Sequence, residues 1–194
     1  MKTLLVSLKI FLILTVLTGI IYPLFITGIA QIAFHRKANG SIIYMDTKAI
    51  GSSLIGQNFD STIYFSTRPS AVYYNPLPSG ASNLGITSAK LKNLVIERKR
   101  KFITFNNLDS LIAIPSEMLF ASASGLDPHI SPEAAMLQVE RIALARQFDS
   151  AQKEKLVNLV NRSIEKPQLN LLGEPRINVF MLNIELDNLS KINK

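Results

Sequence analysis

The 194-residue chain has no cysteine, no tryptophan and only two histidines, His35 and His129. Without thiols there is no disulfide or thiolate chemistry, and the redox compartment stays open. Two histidines far apart in the chain argue against a histidine-based zinc site. Carboxylates are sparse too: 14 Asp and Glu stand against 21 Lys and Arg, giving a net charge of +7 and an isoelectric point near 9.7. They are scattered, with no Asp-x-Asp cluster of the kind that binds calcium or magnesium, and no metal site is expected. Basicity of this size suits anionic lipid or an acidic protein face as well as nucleic acid. The basic residues are dispersed except at Arg98-Lys99-Arg100-Lys101, a run that reads as a solvated helix end.

The most informative absence is local. From Ile10 to Phe34 there is no Asp, Glu, Lys, Arg or His, and fifteen of the 25 residues are Leu, Ile, Val or Phe. At about 1.5 Å per residue the stretch makes a helix of roughly 37 Å, against a bilayer core of about 30 Å. No polar face emerges at period 3.6, as a soluble helix would need. A transmembrane helix is therefore expected over 10–34, after a short tail, 1–9. A cleaved signal peptide has a shorter apolar run and a small-residue cleavage site; this run ends instead in Gln31-Ile32-Ala33-Phe34-His35-Arg36, so an uncleaved anchor is expected. Pro23, mid-span, is predicted to kink the helix. Gly19 and Gly28 do not form a GxxxG motif. Lys2, Lys9 and the α-amine nearly balance Arg36, Lys37 and Lys48, so a short tail inside and a large domain outside are only weakly favoured.

Residues 35–194 are one domain's worth of chain, with its own core. Ser41–Tyr44 and Ile50–Ile55 read as a hairpin around Asp46-Thr47-Lys48. Residues 66–87 carry three prolines, two glycines and two asparagines, with Tyr73 and Tyr74. A long polar loop with aromatics is read as an ordered surface loop that binds something. Thr87 would cap a helix over about 88–101, with Leu91, Leu94 and Val95 on one face. Leu111–Ile114 reads as a short strand stopped by Pro115, and Ser116-Glu117 opens a helical turn. Ser131-Pro132-Glu133 starts a helix expected to run to Phe148. Asp149 and Gln152 form a capping box for the next helix, to about Ile164. Arg176–Leu186 reads as a buried strand from its β-branched and aromatic content. Strands and helices are interspersed without a βαβ period, so the domain is expected to be α+β.

The residues offer three candidate chemistries. Ser79, Ser122 and Ser124 are candidate nucleophiles with Asp127 and His129 nearby, but a triad is recognised by geometry, there is no G-x-S-x-G elbow, and Asp127-Pro128-His129 reads as a turn. A membrane-tethered serine hydrolase stands as the alternative. Ser79-Gly80-Ala81-Ser82-Asn83-Leu84-Gly85 precedes a helix, as an anion-binding loop would, yet lacks the GK[ST] ending. Gln138 and Arg141 share a helix face with Ala134 and Ala145, a polar pair best read as hydrogen-bonding a neighbouring loop.

Several blocks stand out: Ala38-Asn39-Gly40-Ser41, GSSLIGQNF (51–59), YFSTRPSA (64–71), SGASNLG (79–85), SASGLDPHISPEAA (122–135), Gln138, Arg141, Ala145-Arg146 and LLGEPRINVFMLNIELD (171–187), together with the single N-terminal span. In order and spacing they resemble the KdpC family, the C subunits of Kdp potassium-transporting ATPases. Ala81 departs from a glycine in the family's loop, and Lys99 to Asn107 follows no family pattern. The resemblance implies a non-catalytic, single-pass accessory subunit of a high-affinity potassium uptake complex in the cell inner membrane, its domain outside or periplasmic. Implied partners are a KdpB-like P-type ATPase, a KdpA-like potassium carrier, a KdpF-like membrane peptide and the bilayer, with no nucleic acid. No cofactor is bound tightly; ATP would act through the ATPase subunit, and potassium is carried by the complex. Two roles are implied: assembly, and a catalytic chaperone that raises ATP affinity, with Gln138 the nucleotide-linked residue. Arg68, Ser79, Gly80, Asn83, Asp127 and Arg141 are the interaction or loop-ordering candidates.

Overall fold

The computed structural model describes residues 1–191 and divides into two units, one from Met1 to Ser52 and one from Ser53 onward. The first unit begins with an apolar helix over Lys2–Ala33, mean hydropathy 2.5 and none of it buried, long and apolar enough to cross a membrane. It comprises α1 (Lys2–Val16), a π-helical turn (Leu17–Ile21) and α2 (Tyr22–Ala33). The turn is explained by Pro23, whose ring would meet the carbonyl four residues back. The Tyr22 N–H reaches back five residues to the Leu17 carbonyl, widening the helix by one residue ahead of the proline. A short α3 (His35–Ala38) leads into the hairpin of β1 (Ile42–Met45) and β2 (Lys48–Ser52), antiparallel, with a register irregularity between Ile43 and Tyr44. The turn is the tight pair Asp46-Thr47, Asp46 having φ +54°, so β2 starts two residues earlier than expected.

The second unit is helical around a small core, with one two-stranded sheet, β3 (His129–Ile130) against β4 (Ile177–Asn178). Its helices are α4 (Ala89–Asn106), α5 (Pro132–Met136), α6 (Val139–Ala145), α7 (Ser150–Arg162) and α8 (Val179–Lys191). α7 packs on α5, α6 and α8, and α4 on α6. Phe65, Ile142, Leu156, Leu159, Ile177, Leu182 and Leu186 lie at the centre, all but inaccessible to solvent. The Asp149–Gln152 box is reciprocal, Gln152 N–H donating to Asp149 Oδ1 (2.7 Å) and Asp149 N–H to Gln152 Oε1 (2.9 Å). Ser131 Oγ accepts from Ala134 N–H, with Pro132 at the first helical position.

Four expectations need correction. Ser88, not Thr87, caps α4, and the helix runs on to Asn106 before Asn107 turns left-handed at φ +51°. Phe102 and Asn106 carry its buried face onward, so Arg98–Lys101 lies mid-helix instead of at its end. Leu111–Ile114 is no strand: Asp109 Oδ1 accepts from Leu111 N–H, an Asx turn that leaves Leu111 exposed. The single helix 131–148 is two, broken at Leu137-Gln138. The expected strand Arg176–Leu186 is two strand residues followed by helix α8. Asn178 Oδ1 caps Met181 N–H, and Val179, Leu182, Asn183 and Leu186 follow a 3.6 period that buries all four.

Candidate functional site

Phe65 is buried, yet residues 61–68 belong to no strand. Irregular backbone in a core leaves N–H and C=O groups to be satisfied, at about 1–3 kcal/mol for each one that is not. Here side chains from α6 and α8 supply what a neighbouring strand would. Asn183 straddles Phe65, its Oδ1 accepting from the N–H and its Nδ2 donating to the C=O, both at 2.9 Å. Gln138 does the same one residue on, accepting from Ser66 N–H (2.7 Å) and donating to Ser66 C=O (3.3 Å). Arg146 donates to Ile63 C=O (2.8 Å), and Arg141 to the carbonyls of Ser61 (3.4 Å) and Thr62. Tyr74 hydroxyl closes the row on Arg68 C=O, 2.6 Å.

Gln138 has 0 % exposure. The helix break sits on it: its own N–H turns to Ala135 C=O, and its Nε2 takes Ala134 C=O instead (3.1 Å). Its Oε1 also accepts from Arg141 Nη2 (3.0 Å). Two donors and two acceptor positions are thus all used. A direct contact between this amide and a nucleotide would require giving those bonds up, so the group as it stands does not fit one. Arg141, also buried, meets oxygens but no carboxylate among the described residues: besides the loop carbonyls and Gln138, its Nε donates to Asn106 Oδ1 (2.8 Å), and its guanidinium lies 4.4 Å from the Phe105 ring centroid. Burial holds its pKa down at about 10. Arg146 differs in having a counter-ion, Asp187 Oδ1 at 2.7 Å, while Tyr64 hydroxyl donates to the other Asp187 oxygen at 2.9 Å. Burial, and then Asp187, push the Tyr64 phenol up.

Arg68 and Asp127 are brought together, Nη1 to Oδ2 at 2.8 Å. Asp127 Oδ1 accepts from His129 N–H (3.0 Å), closing the turn, with His129 Nδ1 at 3.4 Å. Burial pushes the Asp127 carboxyl up, but the side-chain and backbone hydrogen bonds of His129 and the Arg68 cation outweigh it, leaving the pKa at about 2. A depressed carboxylate contributes stability that is complete above its ordinary value of 3.8 and lost as pH falls from there toward 2. Asp127→Asn is therefore expected to remove about 1 kcal/mol at pH 7, a figure reduced for partial exposure, and to flatten the acid limb between pH 4 and 2. Urea titrations of the full chain across that range read both effects.

The loop 66–87 is ordered against residues 122–125. Ser70 hydroxyl donates to Gly125 C=O (2.7 Å) and accepts from Tyr74 N–H, and Gly80 N–H donates to Ser124 C=O (3.0 Å). Gly125, at φ +69°, has no room for a side chain: a Cβ would lie 2.6 Å from Val72 Cγ2 and 2.9 Å from Gly80 O. Ser79 and Asn83 are exposed, Asn83 at φ +51°, and neither joins the cluster. Ala81 lies outside the left-handed region, so its departure from glycine costs nothing there. Ser122 Oγ makes no hydrogen bond among the described residues, and Ser124 Oγ accepts from Leu126 N–H; neither is bonded to His129. Sequence reasoning missed Asn183, Asn106 and the anchoring role of Arg146. The signal for Asn183 was an amide at a core-facing helical position in the most apolar segment of the domain. It missed Gly56 as well, where a Cβ would come within 2.7 Å of Asp127 O.

Comparison with known proteins gives a consistent family match. The family described as "KdpC: K+-transporting ATPase, c chain" matches residues 4–188. Among curated proteins, a potassium-transporting ATPase KdpC subunit of Dechloromonas aromatica is 46 % identical over 195 residues, covering 98 % of this chain and all of the relative. Proteins of the same name from Leptospira interrogans (43 %, covering 94 % of this chain and 92 % of the relative) and Photorhabdus laumondii (44 %, 91 % of each) are similar to the same extent. The chain belongs to the KdpC family.

Proposed function

We propose that this chain is a membrane-anchored accessory subunit of an ATP-driven potassium uptake complex, and that the catalytic and ion-carrying work lies in its partners. The observation that carries this reading is the family match over residues 4–188, which takes in both the apolar helix and the domain. Lys2–Ala33 is the single span, with the N-terminus cytoplasmic and the domain on the outer face of the cell (inner) membrane. A KdpB-like ATPase, a KdpA-like potassium carrier and a KdpF-like peptide are its neighbours. The domain holds the assembly together. Any increase in the ATPase's affinity for ATP then reaches the cytoplasm as coupling through membrane helices. The closed hydrogen-bonding of Gln138 supports that route over direct nucleotide contact. Gentle detergent extraction of the tagged chain from its native membrane tests the reading. Co-purification of a P-type ATPase with a multi-span potassium carrier is expected. Recovery of the folded chain alone would overturn it.

A further inference from the structure

α4 turns a basic face away from the core. Lys90, Lys92, Lys99, Arg100 and Lys101 are exposed, none enters an ion pair among the described residues, and Glu97 is the one carboxylate on the helix. Lys92, Ile96, Lys99 and Arg100 follow at i, i+4, i+7 and i+8 on one side, and Ile96 is 57 % exposed among them. Arg100 and Lys101 flank a depression of about 370 Å³ that also meets Glu97, Thr104 and Phe105. Arg98 is occupied otherwise, its Nη1 donating to Leu119 C=O (2.9 Å) and pinning the helix to the domain.

We propose that this face rests on anionic lipid headgroups. The inference rests on the anchor reading above: residues 34–52 are all that separate the apolar helix from the second unit, at most about 65 Å of chain. The domain is therefore tethered within that reach of a lipid surface. Each cation near an anionic surface strengthens association roughly fivefold, and tethering makes even a weak attraction effective. An isoleucine amid lysines suits the headgroup boundary, where long cationic side chains keep their stems on apolar surface.

The absence of cysteine makes the test clean. Asn93→Cys on α4 carries a single fluorophore on the full chain, reconstituted in vesicles of phosphatidylcholine alone or mixed with phosphatidylglycerol, with a quencher on the headgroups. Quenching is expected to rise several-fold with phosphatidylglycerol, to fall back at high salt, and to be lost in the Lys99→Glu, Arg100→Glu, Lys101→Glu variant. A label at Asn161→Cys on α7 is expected to stay indifferent. Equal quenching in both lipids, quenching that survives the charge reversal, or shielding that appears only when the transport subunits are present would each overturn the proposal. Flotation with phosphatidylcholine vesicles at high salt reads the anchor separately: a chain that floats but shows no lipid-dependent quenching refutes the basic face alone. A chain that binds only phosphatidylglycerol vesicles, and loses them on charge reversal, supports the face and refutes the anchor.

Discussion

Gln138→Leu is expected to remove about 3–5 kcal/mol of unfolding free energy while leaving side-chain volume almost unchanged. Leucine fills the site but offers nothing to Ser66 N–H, Ser66 C=O or Ala134 C=O, and takes one acceptor from Arg141. Two partly buried groups of Ser66, the buried Ala134 carbonyl and one buried cation are left short of a partner, each at about 1–3 kcal/mol, with partial relief where water reaches Ser66. Against a total stability of about 5–15 kcal/mol this is a large share. Urea unfolding of the full chain in detergent micelles, followed by far-ultraviolet circular dichroism, measures it. Asn183→Leu strands the two groups of Phe65 in the same way. Because the two amides hold consecutive residues of one segment, the double variant is expected to lose less than the sum of the singles. A loss below about 1 kcal/mol in Gln138→Leu would mean the row does not hold the segment.

Arg141 is the second large effect, and its direction depends on what replaces it. The guanidinium serves four oxygens at once, those of Asn106, Gln138, Ser61 and Thr62, from a buried position with no carboxylate partner among the described residues. Arg141→Met strands these acceptors but also removes the cost of a buried charge, for a net loss of about 2–4 kcal/mol. Arg141→Lys keeps the charge while losing the planar fork, since an ammonium has three donors on a compact head and cannot span both α4 and the loop. Lysine is therefore expected to be no better than methionine, although it is the closer substitution by charge. The same urea titration ranks the two. Lysine restoring wild-type stability would show that charge, and not fork geometry, is what the site uses.

The parts of this architecture legible in the sequence are those in which local chemistry decides. Ser131-Pro132 and Asp149–Gln152 cap helices where expected, because capping needs only residues three positions apart. The hairpin and the long apolar helix were legible for the same reason, as was the pairing of Gln138 with Arg141 on a helix face. What escaped depends on distant partners. Arg176–Leu186 has strand-like composition, but one asparagine cap and a 3.6 burial period, itself visible in the sequence, turn most of it into helix. The break at Gln138 follows from Ser66, 72 residues away in sequence, and no local rule signals it. Asp127, Arg68 and Gly125 were visible as motif residues, but their actual contacts follow only from the loop 66–87 folding over residues 122–127. Ser79 and Asn83, drawn from the same motifs, lie exposed beside that cluster.

Gln138 and Asn183 hold residues 65 and 66 in the domain instead of presenting a group to a ligand. Amide hydrogen exchange on the full chain, resolved at Phe65 and Ser66 and run with and without magnesium-ATP, tests it most directly. Both amides are expected to exchange as slowly as the interior of α7, and nucleotide is expected to leave them unchanged. Exchange as fast as in the exposed stretch 75–79, or a change in protection at Ser66 on adding ATP, would contradict it.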